Sequence, residues 1–358
     1  MPLFKSSERT HIGIDIGGQN IKAVQMRQRS RGWQVVATAQ FPRIEINSPL
    51  TGAEVRRLSE VLYRRSFSGN QIVLAIPGDK QINGTMELPV RSAGVSLDAV
   101  ARMEFSRAYK CEPQTFEMAY WDLPAAARAA RTTNVMAVAF AHSEADALID
   151  LFATADLDVV ALDTRSWAMV RACASAAKDA TGIVILLELG WNGALLVMLH
   201  HGIVIYERLM TEAALKNLNT TMETELKISP ALAQHVLSFS GFAAKAPADA
   251  RGVPKVPLEL QNEVRVTAEA HFEGVWQELL ESISYTSHQY PESPVSRLLL
   301  MGGGAMIPGI AEHLSRRIGL ECSVVSPAQL ETSGSLAASE CNASLTVAAG
   351  LSQFREPS

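Results

Sequence analysis

His11 to Gln25 reads HIGIDIGGQNIKAVQ, and Thr181 to Leu199 reads TGIVILLELGWNGALLVML. Each is a run of β-branched and apolar residues that breaks on an acid-x-Gly turn and resumes as a second apolar run, the pattern of a hairpin. Such self-similarity marks an internal repeat. A third strand-like run follows in both copies, WQVVATAQF at Trp33 to Phe41 and GIVIYERLM at Gly202 to Met210. A fourth closes on proline or glycine, QIVLAIPG at Gln71 to Gly78 and RLLLMGGG at Arg297 to Gly304. One carboxylate at each duplicated turn predicts two α/β lobes facing each other across a cleft, with the turns as opposing jaws and the chemistry between them.

The chain has 358 residues and a net charge of −5. Its length exceeds what one core usually organises, so at least two domains are expected. The charge gives no basic footprint for nucleic acid, and no nucleic-acid partner is expected. The longest apolar stretches, such as Val135 to Ala141, are strand-sized and fall short of the about 20 residues of a membrane-spanning helix. Met1 to Thr10 is polar, lacks the apolar centre of a signal peptide, and reads as an unstructured leader. Cys111, Cys173, Cys322 and Cys341 have no CxxC spacing and read as packing thiols of a reducing compartment.

The first lobe is assigned to residues 11–84. Its helix is predicted at 51–67, with Val55, Leu58, Val61 and Leu62 on one stripe, and Ser68-Gly69-Asn70 stops it. Residues 85–163 break the symmetry with a helix at 97–109, strand-like runs at 116–123 and 134–142, a helix at 144–155 and a strand at 159–162. They are read as one inserted α+β subdomain, with PAAARAAR at 124–131 as an internal link. A helix at 164–177 crosses to the second lobe, 183–344, in which residues 212–296 form a helical insertion. That insertion reads as one helical stretch over 212–239, a Pro/Ala-rich loop at 243–257, and a long helix over 262–290. Asn262 is the expected N-cap of the long helix, and Phe272, Val275, Leu279 and Ile283 form its stripe. Strand 297–301, the glycines, a helix at 308–318, a strand at 322–325 and a helix at 345–354 follow. Residues 164–182 and the final helix are assigned to the first lobe.

Three glycine-backed elements carry the candidate chemistry. A tight glycine turn lets backbone N–H groups approach an anion, and a carboxylate beside it can hold Mg²⁺ through water. Asp15, Gly17, Gly18, Gln19 and Asn20 meet both needs, and Lys22 adds a cation. The second jaw offers Glu188, Gly190 and Asn192. Gly302, Gly303, Gly304 and Pro308 join a strand to a helix start, where flat backbone suits a purine or ribose and the helix N-terminus suits an anion. Taken singly, these are a hairpin, a solvated lysine and a flexible connector. Their order on a duplicated lobe is what points to a ligand.

With these motifs the chain resembles the actin-like ATPase superfamily, which includes sugar kinases, Hsp70 proteins and FtsA. Within it, the chain is similar to the PilM-type family of type IV pilus assembly proteins and to its relatives in type II secretion and MSHA pilus biogenesis. The carrying residues are IGIDIGGQNIKAVQ from Ile12, VLAIPGDKQINGTMELP from Val73, VVALDTRSWAMVRA over 159–172 and LLLMGGGAMIPGIAEHLSRRIGLECSVVSP over 298–327. DIGGQNIK also resembles the first motif of ROK sugar kinases, but their clustered cysteines and Asn-Asp pair are missing.

The resemblance implies an actin-like (ribonuclease H-like) fold that binds ATP with Mg²⁺ between the jaws, the metal held by Asp15 and Glu188. It makes Glu188 and Asp79 the catalytic candidates and Glu281 a ribose ligand, and it makes the insertion a 1C-type subdomain. It also implies a cytoplasmic scaffold that reaches the inner membrane through the tail of a PilN-like protein, held between the first lobe and the insertion. Self-assembly stays open, and phosphotransferase and FtsA-like filament readings are the alternatives. The second jaw departs from the family in having Glu188 in place of aspartate and Trp191 in place of a small hydroxylated residue. Phosphoryl chemistry depends on positioning, so binding is expected to survive better than turnover.

Overall fold

β1 (Ile12–Ile16), buried at four consecutive residues, pairs with β2 (Asn20–Arg29), and β2 with β3 (Gly32–Pro42), whose residues alternate between buried and more exposed, to form an antiparallel meander. The computed structural model describes residues 9–30, 32–89, 96–124, 132–178, 180–242, 256–330 and 340–355. Most of the expected leader, the 124–131 link and the 243–257 loop lie outside those residues. Helix α1 (Gly52–Arg64) starts on a capping box, in which Thr51 accepts from the Glu54 N–H and Glu54 accepts from the Thr51 N–H. It ends earlier than 67 because Ser66 takes a left-handed φ of 63°. β4 (Gln71–Ala75) then returns parallel to β1.

The expected 85–163 unit divides. β5 (Ile82–Pro89), α2 (Leu97–Tyr109), β6 (Phe116–Asp122) and β7 (Thr132–Ala141) form a three-stranded sheet of order β5-β7-β6, with Phe105 of α2 packed against Leu88 and Phe116. α3 (His142–Ala153) and β8 (Asp158–Asp163) instead rejoin the first lobe: β8 runs parallel to β4, and Phe152 packs with Val55 and Leu58. Periodicity gave α3 and β8 their type but not the core they face. β5 lacked a sequence signal because, of its eight residues, only Met86 and Leu88 are buried.

α4 (Arg165–Ala177), capped by Thr164, leads to the second lobe: β9 (Ile183–Leu189), β10 (Ala194–His200) and β11 (Ile203–Met210). The helical stretch after β11 is two helices, α5 (Leu215–Glu225) and α6 (Pro230–Phe239). Lys227 at φ 55° breaks the run, and Ser229 with Pro230 restarts it. α7 (Leu258–Gln289) starts four residues before Asn262, at the extended Pro257, so Asn262 is not its N-cap and lies within the helix. β12 (Val295–Met301), a 3₁₀ turn at Gly303–Met306, α8 (Ile310–Ile318), β13 (Glu321–Val324), α9 (Pro327–Leu330) and α10 (Thr346–Ser352) complete the chain.

The sheets have the same order, β3-β2-β1-β4-β8 and β11-β10-β9-β12-β13, with parallel pairs in the same places. α8 and β13 are therefore the counterparts of α3 and β8. The three-stranded sheet interrupts the β4-to-β8 crossover, and α5–α7 occupy the position of α1. α4 and α10 lie between the lobes. Val73 of β4, Ala168 and Met169 of α4, Leu186 and Leu299 of the second sheet, and Val347 and Leu351 of α10 share one core.

Candidate functional site

Both jaws are four-residue turns between paired strands: Ile16 pairs with Ile21, and Leu189 with Ala194. Each acid sits next to the last residue of its strand, Asp15 on β1 and Glu188 on β9, and both are buried. β4 ends just before Gly78, β8 just before Thr164-Arg165, and β12 just before Gly302. The site thus lies at the carboxyl ends of the parallel strands, the usual ligand position in α/β sheets.

The turns meet directly. A Cβ added to Gly18 would lie 2.8 Å from Asn192 Cγ, so the first jaw leans directly against the Asn192 side chain of the second. Trp191 Nε1 donates to Asn47 Oδ1 at 3.0 Å, and the Asn47 N–H in turn donates to the Gly18 carbonyl. Gly302 has φ 87°, and a Cβ there would come 2.6 Å from the Leu189 carbonyl oxygen and 2.9 Å from Glu188 Cγ. Glycine is required at 302 on both counts, and it brings the third element against the second. The N–H groups of Gly18, Gln19, Gly303 and Gly304 donate to no carbonyl among the described residues.

Charge in the cleft is arranged by a residue without a place in the sequence expectation. Arg165 Nη2 donates to Glu188 Oε2, and the guanidinium also acts on Asp15. Lys22, the cross-strand partner of Asp15, donates to its Oδ2 at 2.8 Å. Burial works against the charged form of Asp15, but Lys22 and Arg165 outweigh it and hold the carboxyl below its usual range. Burial likewise opposes the Arg165 charge, and Glu188, Asp15 and Glu207 overcome it. Burial pushes the Glu207 carboxyl up, against hydrogen bonds that include Gln81 Nε2 at 2.9 Å. Arg165, Glu207, Gln81, Asn83, Gly78 and Leu209 line a cavity of about 70 Å³ that joins the first lobe, the inserted sheet and the second lobe. Arg165 was legible only through its place: it follows the Thr164 cap on the helix that crosses between the repeats.

Asp15, Gly17, Gly18, Lys22, Glu188, Gly190, Asn192, Gly302, Gly303 and Gly304 are brought together. Gln19 and Asn20 complete the first turn and hydrogen-bond to each other, with Asn20 Nδ2 donating to Gln19 Oε1 at 3.3 Å. Pro308 lies past the 3₁₀ turn, where its carbonyl accepts the Phe242 N–H at 2.7 Å. Asp79 is exposed in the turn after β4. Glu281 is not brought to the glycines. It is exposed on α7 between Glu278 and Ser282, whose partners Arg208 and Tyr206 belong to β11, three places along the sheet from β12 and its glycines. A helix-face register, which sequence gives, does not say which neighbour each turn of a long helix passes.

The residues fit the phosphates of a nucleotide. Free N–H groups on glycine turns, a lysine and an arginine with spare donors are the chemistry an anion needs. They do not fit the expected Mg²⁺, because Asp15 and Glu188 are each committed to a cation of the protein, Lys22 and Arg165.

The family described as type IV pilus assembly protein PilM matches residues 13–227. No curated protein matches the chain. Among solved structures, the chain is similar to a PilM-PilN type IV pilus biogenesis complex, with 17% identity, a TM-score of 0.75, and coverage of 96% of this chain and 97% of that one. It is also similar to the ethanolamine utilization protein EutJ from Carboxydothermus hydrogenoformans, at 15% identity and TM-score 0.56, covering 99% of this chain and 92% of that one. A third similar structure is MreB5 of Spiroplasma citri bound to ADP, at 14% identity and TM-score 0.52, covering 96% and 95%. The duplicated sheets and the match across more than half of the chain agree: this chain belongs to the PilM family of type IV pilus assembly proteins and has the actin-like ATPase fold.

Proposed function

We propose that the chain is a nucleotide-binding scaffold of a type IV pilus or related secretion machine, with ATP in the interlobe cleft. The observation that carries this is the convergence of three glycine turns, with their unspent N–H groups, around the Lys22–Asp15 and Arg165–Glu188 pairs. Turnover is expected to be slow. Glu188 is held by Arg165 and is not a free base, and Asp79 is exposed. Gly303 gives the cleanest test, because a Cβ there meets nothing within 4 Å and the variant should fold. Gly303→Asp places a carboxylate where a phosphate is expected. It should weaken ATP binding by at least about tenfold in isothermal titration, with an unchanged circular dichroism spectrum. Unaltered affinity would remove the glycine turn from the site.

The partner follows from the family and from the PilM-PilN structure. The chain is proposed to bind the cytoplasmic tail of a PilN-like membrane protein, and so to work at the inner membrane from the cytoplasmic side. No helix among the described residues is long and apolar enough to cross a membrane, which agrees with recruitment through a partner. A labelled peptide of that tail should show saturable fluorescence anisotropy with the full chain. A flat titration would count against the assignment.

A further inference from the structure

The two jaws are built alike and neutralised differently. Asp15 faces Lys22 across the β1–β2 pair, whereas the residue facing Glu188 across β9–β10 is Leu195. The second acid therefore has no cation in its own repeat and takes Arg165 from the helix between the lobes. The result is an alternating chain of Lys22, Asp15, Arg165 and Glu188, in which both carboxylates that would hold a metal already have a fixed positive partner. A divalent ion at the jaws would have to compete for Asp15 and Glu188, both buried, with two cations that the chain itself holds beside them.

Arg165 is also not used up by Glu188. Its Nε is buried and has no hydrogen-bond partner, although a guanidinium presents five donors in a rigid fork. A buried donor left unspent is costly in a folded chain, and an anion in the cleft would satisfy it. Gly190 confirms how close the fork lies to the second turn, because a Cβ on it would be 3.7 Å from Arg165 Nη2.

We infer that Lys22 and Arg165 take the place of the divalent cation, so that nucleotide phosphates bind this site without metal. The inference rests on the nucleotide assignment above, and the tests separate the two. In isothermal titration of the full chain with ATP, affinity in excess EDTA should stay within about twofold of that in excess MgCl₂. Arg165→Ala should lose roughly tenfold or more in EDTA, the worth of a charge-assisted hydrogen bond, with Arg165→Lys recovering part of it. A wild-type affinity that collapses in EDTA would overturn the inference.

The second measurement needs no nucleotide. Mn²⁺ added to the wild-type chain should keep its free electron paramagnetic resonance signal, whereas Lys22→Ala/Arg165→Ala, with both carboxylates uncovered, should quench it. Stoichiometric Mn²⁺ binding by the wild type that Asp15→Asn abolishes would overturn the inference as well. If ATP binds in neither buffer, the nucleotide assignment falls and the Mn²⁺ titration still decides the metal question. Circular dichroism of each variant identifies any that fail to fold.

Discussion

Gly350→Ala should destabilise the protein by about 3 kcal/mol, the upper part of the range for overpacking a tight contact. Gly350 is in α10 where it crosses α4, and a Cβ there would lie 2.6 Å from the Ala168 carbonyl carbon and on top of its oxygen. The neighbour is helical backbone in the shared core, so no flexible side chain can give way. Gly13 stands on the other side of the same helix, with its would-be Cβ 2.9 Å from Leu351 Cβ and closer still to α10 backbone. The two glycines let α10 lie against both β1 and α4. The loss should appear as a lower urea midpoint with an unchanged m-value, since the surface exposed on unfolding stays the same. A midpoint equal to wild type would mean that α10 can slide on α4 without loss.

Glu54→Gln should cost about 3–5 kcal/mol, because it removes one member of a buried ion pair and leaves the other uncompensated. Glu54 accepts from Arg43 Nε at 2.6 Å and Nη2 at 3.0 Å, from the Ile44 N–H at 3.0 Å and from the Thr51 N–H at 3.1 Å. Burial alone would raise its pKa, but these donors hold it at about 2, against an ordinary 4.5. The unfolded chain therefore takes up this proton first as pH falls. The contribution is complete above about 4.5 and is lost as pH drops through about 2. Urea midpoints over that window should fall more steeply for wild type than for Glu54→Gln. The effect reaches the site, since the segment held by Glu54 carries the Arg43 and Asn47 N–H groups that bond to the Gln19 and Gly18 carbonyls of the first jaw. ATP affinity of Glu54→Gln should fall as well.

Much of this was legible because the decisive signals are local. The acid-x-Gly turns fixed both hairpins. The repeat predicted two matching sheets. The glycines at 302–304 were read as flat backbone for a ligand, and two of them, Gly302 and Gly304, also pack against Leu189. What stayed hidden is long-range. Arg165 reads as an ordinary first-turn arginine, and only the meeting of the lobes puts Glu188 beside it. α3 and β8 were read as part of the insertion, because an amphipathic pattern names a buried face and not its partner. Glu281 was placed by its position on the helix that precedes the third glycine element, and a 32-residue helix passes several neighbours along its length. The two acids of the jaws were read without the cations that fold onto them.

The arrangement of α10 bears on how the chain is made. β1 leaves the ribosome long before the helix that covers Gly13, which is contributed by residues 346–352. The amino-terminal lobe therefore cannot close its own interior during synthesis. It must wait, with apolar surface of β2 and α4 uncovered, until α10 has emerged.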